Sequence, residues 1–212
     1  MKFLKIDTFG LARNFLKRDY IVGIQKEIEN YFLDKYITTV TSLERGECLV
    51  AQDYPQKICL NPRERLRSDL PFFSIGGAWA VNKQFASILQ KFDLGNKSLF
   101  PVEVLKSDRK TPVDGNMSFF NICEHKTAFS PKFSKGIEKA YDDDRDLWEP
   151  KHLLQQDEIA VTAQALNGPD VWVDSRLLWS GFFLSDRLVA AVREARIDKP
   201  LCLYRCRVLL EN

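Results

Sequence analysis

Residues 78–105 read AWAVNKQFASILQKFDLGNKSLFPVEVL, and residues 181–209 read GFFLSDRLVAAVREARIDKPLCLYRCRVL. Each stretch holds a short apolar strand, a polar helix cap, an amphipathic helix, a polar turn and a second strand. Asn82 and Ser185 stand where an N-cap is needed, because their side-chain oxygens accept amide hydrogens that a first helical turn leaves without partners. Phe85, Ile88, Leu89 and Phe92 recur at i, i+3, i+4 and i+7, as do Leu188, Ala191, Val192 and Ala195, and this spacing lines one helix face. Gly95 and Asn96 supply the first stop and turn. In the strands that follow, Phe100, Val102 and Val104 alternate with other residues. Cys202, Tyr204, Cys206, Val208 and Leu210 share one face of the last strand, with Arg205 and Arg207 on the other. Val81 aligns with Leu184 at an offset of 103, and Phe100 with Tyr204 at an offset of 104. The chain therefore uses one building block twice.

Around these blocks the signals are shorter. Pro101 predicts an edge position or a strand start. Asp114-Gly115-Asn116 reads as the turn of a long hairpin over 104–123, with its second strand at 117–123. Residues 1–10, 37–42 and 47–51 read as strands, and 11–35 as a helix from near-helical apolar spacing. Residues 56–73 read as a connector punctuated by Pro62 and Pro71, and Gly76-Gly77 as a bulge or turn. The segment from His125 to Lys151 is polar and reads as irregular. Residues 153–166 read as a strand and a short helix or turn, and 171–179 as β-rich. The expected fold is α+β: two similar strand-helix-strand units with an antiparallel or mixed sheet and an N-terminal helical segment. Residues 1–68 would pack on a body spanning 69–212, the whole forming one compact unit.

The chain has 212 residues, of which 45% are hydrophobic and 28% charged, enough for a core without disulfides or structural metal. A net charge of +2 selects neither nucleic acid nor an anionic membrane. Cys48, Cys59, Cys123, Cys202 and Cys206 are odd in number and form no CxxC, which fits a reducing cytoplasm better than a disulfide framework. Cys202 and Cys206 in one strand would stand ~13 Å apart, too far to bridge. No signal-peptide core or membrane-length apolar run is present.

The densest acidic run is Asp142, Asp143, Asp144 and Asp146. Its alternate positions imitate the start of a calcium loop, but Leu147 replaces the turn glycine and Leu153 the final carboxylate, so no metal is expected. Cys123 and His125 share a strand face without a third ligand, and His152 stands alone. No GxSxG elbow, P-loop or GxGxxG occurs, no carboxylate spacing marks an acid/base pair, and no cofactor is expected. Arg63, Arg65 and Arg67 read either as an anion or phosphate site or as a solvated basic face, and their dilution by Glu64 and Asp69 favours the latter. Trp79 and Trp179 read as core plugs beside the repeated blocks. Trp148, inside the acidic segment, reads either as an interface anchor or as a pin holding that segment to the body.

The DLPFF stretch, AVNKQFASILQKFDL, the strand LFPVEVL, the FFNI strand and SDRLVAAVREARI with its closing strand together resemble a bacterial polymorphic-toxin immunity protein family. It is the eleventh of that classification and was formerly a domain of unknown function. The matching parts span residues 69–209 with gaps, and FFLSDRL departs from the valine-containing strand often found before the serine. The resemblance implies a non-enzymatic protein that binds the C-terminal domain of a cognate toxin and occludes its active surface. Apart from the resemblance, the protein reads as a monomer or homodimer, since an exposed strand edge such as that after Arg205 could support a dimer. The acidic segment, with Asp142, Asp143, Asp144, Asp146 and Trp148, is the expected toxin contact, though no family motif marks it. Two other classes stay open at this level: a small cytosolic hydrolase or nuclease using carboxylates, and a nucleic-acid-binding regulator.

Overall fold

The computed structural model describes residues 4–6, 42, 47–54, 56–60, 70–75, 78–96, 99–152, 154–178, 181–201 and 203–209. In chain order the strands are β1 (Leu4–Ile6), β2 (Lys57–Cys59), β3 (Phe72–Ile75), β4 (Ala78–Val81), β5 (Leu99–Leu105), β6 (Met117–Phe120), β7 (Ile137–Lys139), β8 (Trp148–Pro150), β9 (Ala160–Thr162), β10 (Val171–Trp172), β11 (Phe182–Leu184), β12 (Leu203–Arg205) and β13 (Arg207–Leu209). The α-helices whose bounds lie within the described residues are α1 (Lys83–Leu89) and α2 (Asp186–Glu194). The fold is α+β. The helix expected at 11–35, the Gly76-Gly77 turn, the Arg63–Arg67 cluster and Trp179 lie outside the described residues. So does the strand expected at 37–42, apart from Ser42, whose backbone is helical.

Contacts divide the chain into two units. Unit one comprises Met1–Leu11, Ile88–Gly95 and Glu124–Asn212; unit two comprises Ala12–Ser87 and Asn96–Cys123. Unit two holds a five-stranded sheet in the order β2-β5-β6-β4-β3, antiparallel except for the β2–β5 pair. Unit one holds an antiparallel four-stranded sheet in the order β10-β11-β1-β12, with the pairs β9–β13 and β7–β8 beside it.

The repeated block is a shared topology. β4 and β5 run parallel, joined through α1, with β6 inserted antiparallel between them. β11 and β12 run parallel, joined through α2, with β1 inserted antiparallel between them. An outer strand flanks each block: β3 on β4 and β10 on β11. The registers agree residue by residue. Ser118 stands between Val81 and Pro101, and Leu4 stands between Leu184 and Arg205. These pairings reproduce the offsets of 103 and 104 read from the sequence. One difference is in connectivity: the inserted strand follows β5 in one block and comes from the start of the chain in the other.

Both caps form as expected. Asn82 Oδ1 accepts from Phe85 N–H at 2.9 Å, and Ser185 Oγ from Leu188 N–H at 3.3 Å. The cap amides are held alike, Asn82 N–H by the Pro71 carbonyl at 3.1 Å and Ser185 N–H by the Asp170 carbonyl at 2.8 Å. Phe85, Ala86 and Leu89 are buried, and so are their counterparts Leu188, Val189 and Val192. Ile88 is buried as predicted, whereas Phe92, Ala191 and Ala195 are only half-buried, so each stripe holds at its centre and is shallower at its end. A fully buried Phe or Leu contributes about 1.5–3 kcal/mol, which makes Phe85, Leu89 and Leu188 principal anchors.

Several shorter expectations are corrected. ECLVA is not a strand: Asp53 Oδ2 accepts from Val50 N–H at 2.9 Å and winds Ala51–Asp53 into a 3-10 turn. The 56–73 connector contains β2, whose partner is 46 positions away at Glu103, so nothing local marks it. In the hairpin the reversal falls earlier than predicted. Asp108 accepts from Lys110 and Thr111 N–H at 2.9 and 2.8 Å, and Gly115, at φ +107°, merely bends the chain before β6. The second strand ends at Phe120 rather than 123. The last strand is two strands: the chain leaves the four-stranded sheet at the buried Cys206 and pairs with β9 instead.

The outer edge of β12, which ends at Arg205, is covered. Gln156 Nε2 donates to the Leu203 carbonyl at 3.3 Å, its Oε1 accepts from Arg205 N–H at 2.8 Å, and Asp157 N–H donates to the Arg205 carbonyl at 2.7 Å. A side-chain amide thus imitates a neighbouring strand and blunts the edge. In unit one the sheet packs through Trp172 and Phe183, stacked at 4.1 Å, onto Phe129, Ile159, Val161 and Leu177.

Candidate interaction surface

The acidic run sits on a β-hairpin. β7 and β8 pair Ile137 with Pro150, Glu138 with Glu149 and Lys139 with Trp148. Ala140 N–H closes the loop on the Leu147 carbonyl at 2.9 Å. The sequence reads as irregular here because IEK and WEP are too short to show alternation, and Pro150 counts against a strand.

Trp148 holds the base of this hairpin. Its N–H donates to the Arg176 carbonyl at 2.7 Å, and its carbonyl accepts from Leu178 N–H at 2.8 Å. The half-buried indole packs against the core of unit one, and its Nε1–H donates to Asp146 Oδ1 at 2.6 Å. Asp146 also lies 3.6 Å from Arg176, which turns inward to Asp174 at 3.1 Å and donates to the Phe129 carbonyl. Asp174 is 4% exposed and accepts from Ala128 and Phe129 N–H at 2.9 and 2.7 Å. A buried carboxylate needs such a full set of donors, so Asp174 fixes Arg176, and Arg176 fixes the hairpin through Asp146.

The tip is arranged differently. Asp143 pairs with Arg145 at 2.6 Å, and the hydrogen bonds from Arg145 hold its carboxyl below the usual range. The Arg145 guanidinium lies 3.7 Å from the ring centre of Tyr141, which is 45% exposed. Lys139 Nζ donates to the Asp143 carbonyl at 3.1 Å. Asp142 and Asp144 are exposed and have no ion-pair partner among the described residues. The five residues 142–146 carry four aspartates and one arginine, a net charge of −3. Of the expected contact residues, then, Asp142 and Asp144 face solvent, Asp143 and Asp146 are tied into ion pairs, and Trp148 serves as the pin. Arg176 and Asp174 escaped sequence reasoning, since only the fold brings them to the hairpin.

The remaining reactive residues are dispersed. His152 Nε2 meets Glu158 at 3.2 Å on the surface, and His125 bridges to Val173 beside β10. Among the described residues no three His, Cys, Asp or Glu side chains gather as a metal site, and no helix is long and apolar enough to cross a membrane. Trp79 is half-buried against Phe72, whereas Trp172 is wholly enclosed. The sequence matches no known family profile and no curated protein.

Proposed function

We propose that this chain is an immunity protein that binds a cognate bacterial toxin in the cytoplasm and occludes its active surface. The observation that carries this reading is the β7–β8 hairpin, an acidic loop with solvent-facing Asp142 and Asp144 on a base locked by Trp148 and Arg176. A preorganised loop loses little conformational entropy on binding. A tip of net charge −3 speeds encounter with a basic patch and penalises an acidic one. The class of partner comes only from the resemblance to immunity family eleven that we propose for residues 69–209. The hairpin supplies a surface.

The test is co-expression with the C-terminal toxin domain encoded by the neighbouring gene. A one-to-one complex and restored growth are expected. The double charge reversal Asp142→Lys/Asp144→Lys should leave stability within about 0.5 kcal/mol and slow association by about tenfold or more at low salt. Absence of both complex and rescue removes the immunity reading. A complex whose association rate ignores the charge reversal removes the hairpin from the interface and leaves immunity standing.

A further inference from the structure

Unit two contains a half-open cavity of about 760 Å³, within the range of small-molecule sites. Its origin lies in strand lengths. β2 begins at Lys57, opposite Glu103, so the first half of β5 extends past the end of β2. Pro101, which has no N–H to leave unpaired, stands in that outermost stretch and is exposed. The loop before β6 forms another wall through Pro112, Val113 and Asn116.

The lining is apolar at depth, with Phe100, Val102, Val104 and Met117 all buried, and polar at the rim, where Gln56, Asn116 and Ser118 stand. Glu103 is the lining carboxylate, and Lys57 neutralises it at 2.7 Å. The site therefore asks for no net charge in its occupant. Tyr54 completes the wall. It is 5% exposed, and its ring stacks on Phe100 at 5.1 Å and Phe119 at 4.8 Å. Its hydroxyl has no hydrogen-bond partner among the described residues. Burial pushes its pKa well up, so it remains a neutral donor. A buried donor without an acceptor is destabilising, and an acceptor brought to it relieves that cost. The oxygen has almost no accessible surface, so contact with an acceptor requires the lining around it to move aside.

We infer that this cavity binds a small, uncharged, mostly apolar molecule carrying one hydrogen-bond acceptor, oriented by the Tyr54 hydroxyl. The site belongs to unit two and is independent of the toxin-binding reading. Two probes of nearly equal shape test it, 2-acetonaphthone with a carbonyl and 2-ethylnaphthalene without one, titrated against the full chain by ligand-detected NMR. Both should bind the wild type, the ketone more tightly. Tyr54→Phe should weaken the ketone by about 5- to 10-fold and leave the hydrocarbon unchanged within about twofold. Val113→Trp, at a half-buried position, should abolish binding of both. Asn116→Trp, at an exposed position, gives a second blocking variant should Val113→Trp fail to fold, with the unfolding midpoint as the check. Failure of both probes to bind the wild type overturns the site. Binding that survives a folded blocking variant overturns it equally, and so does a Tyr54→Phe effect that is the same for both probes.

Discussion

Replacing Asp170 with Asn should be among the most damaging single-atom-scale changes to unit one. Asp170 is 1% exposed, and each of its oxygens accepts twice. Oδ1 takes the Ser185 hydroxyl and, at 2.6 Å, Arg187 Nε; Oδ2 takes Arg187 Nη2 at 2.6 Å and Asp93 N–H at 2.9 Å. Whichever way an asparagine amide is turned, its NH2 faces donors instead of accepting from them. One charge-assisted bond is lost, worth about 1.5–3 kcal/mol, and a further buried donor is left poorly paired at about 1–3 kcal/mol. The Arg187 side chain is 61% exposed and recovers solvation, which keeps the net loss near the lower end, about 3 kcal/mol. For a chain of this length that lowers Tm by roughly 6–12 °C.

The sign with pH is also determined. Burial pushes the Asp170 carboxyl up, but hydrogen bonds from Arg187, Ser185 and Asp93 N–H outweigh it and leave the pKa below its ordinary value. A carboxylate with a depressed folded-state pKa adds stability above its unfolded value, about 3.9, and loses it as pH falls through the folded value. Urea unfolding of wild type, Asp170→Asn, Arg187→Ala and the double variant should therefore show a coupling of at least about 1 kcal/mol at pH 7, shrinking only below about pH 4. A loss under about 0.5 kcal/mol for Asp170→Asn, or a difference that persists undiminished at pH 2, would refute the reasoning.

Three further outcomes follow from the same contacts. Asn82→Ala should cost about 1 kcal/mol in unfolding free energy as a lost N-cap, and Ser185→Ala more, because its hydroxyl also donates to Asp170. Trp148→Phe keeps an aromatic ring at the hairpin base but loses the Nε1–H bond to Asp146. Hydrogen exchange at 140–147 should quicken while the amides of β9 and β11 keep their protection. Gln156→Ala uncovers the Leu203 carbonyl and Arg205 N–H; sedimentation at rising concentration should show more self-association than the wild type does.

The repeated block was legible because its determinants are local. An N-cap three residues ahead of the amide it receives, and an apolar stripe one helical turn apart, are written in consecutive residues, so Asn82, Ser185, Phe85 and Leu188 were found without a structure. The register of β5 and β12 followed from the same alignment. The hairpin was not legible, since three-residue strands carry no readable period, and its acidic tip was recognised only as composition.

What the sequence by itself determined is the block used twice: its caps, its helices, the spacing of its strands and an α+β fold. The tertiary structure decided what completes each block. β6 fills the gap between β4 and β5, while β1, from the other end of the chain, fills the gap between β11 and β12. It likewise decided that Gln156 seals an edge and that Arg176 carries the buried charge of Asp174 to the hairpin at Asp146. Pairings across such separations depend on burial and on unsatisfied backbone groups meeting their partners in space, and no local pattern of residues encodes that meeting.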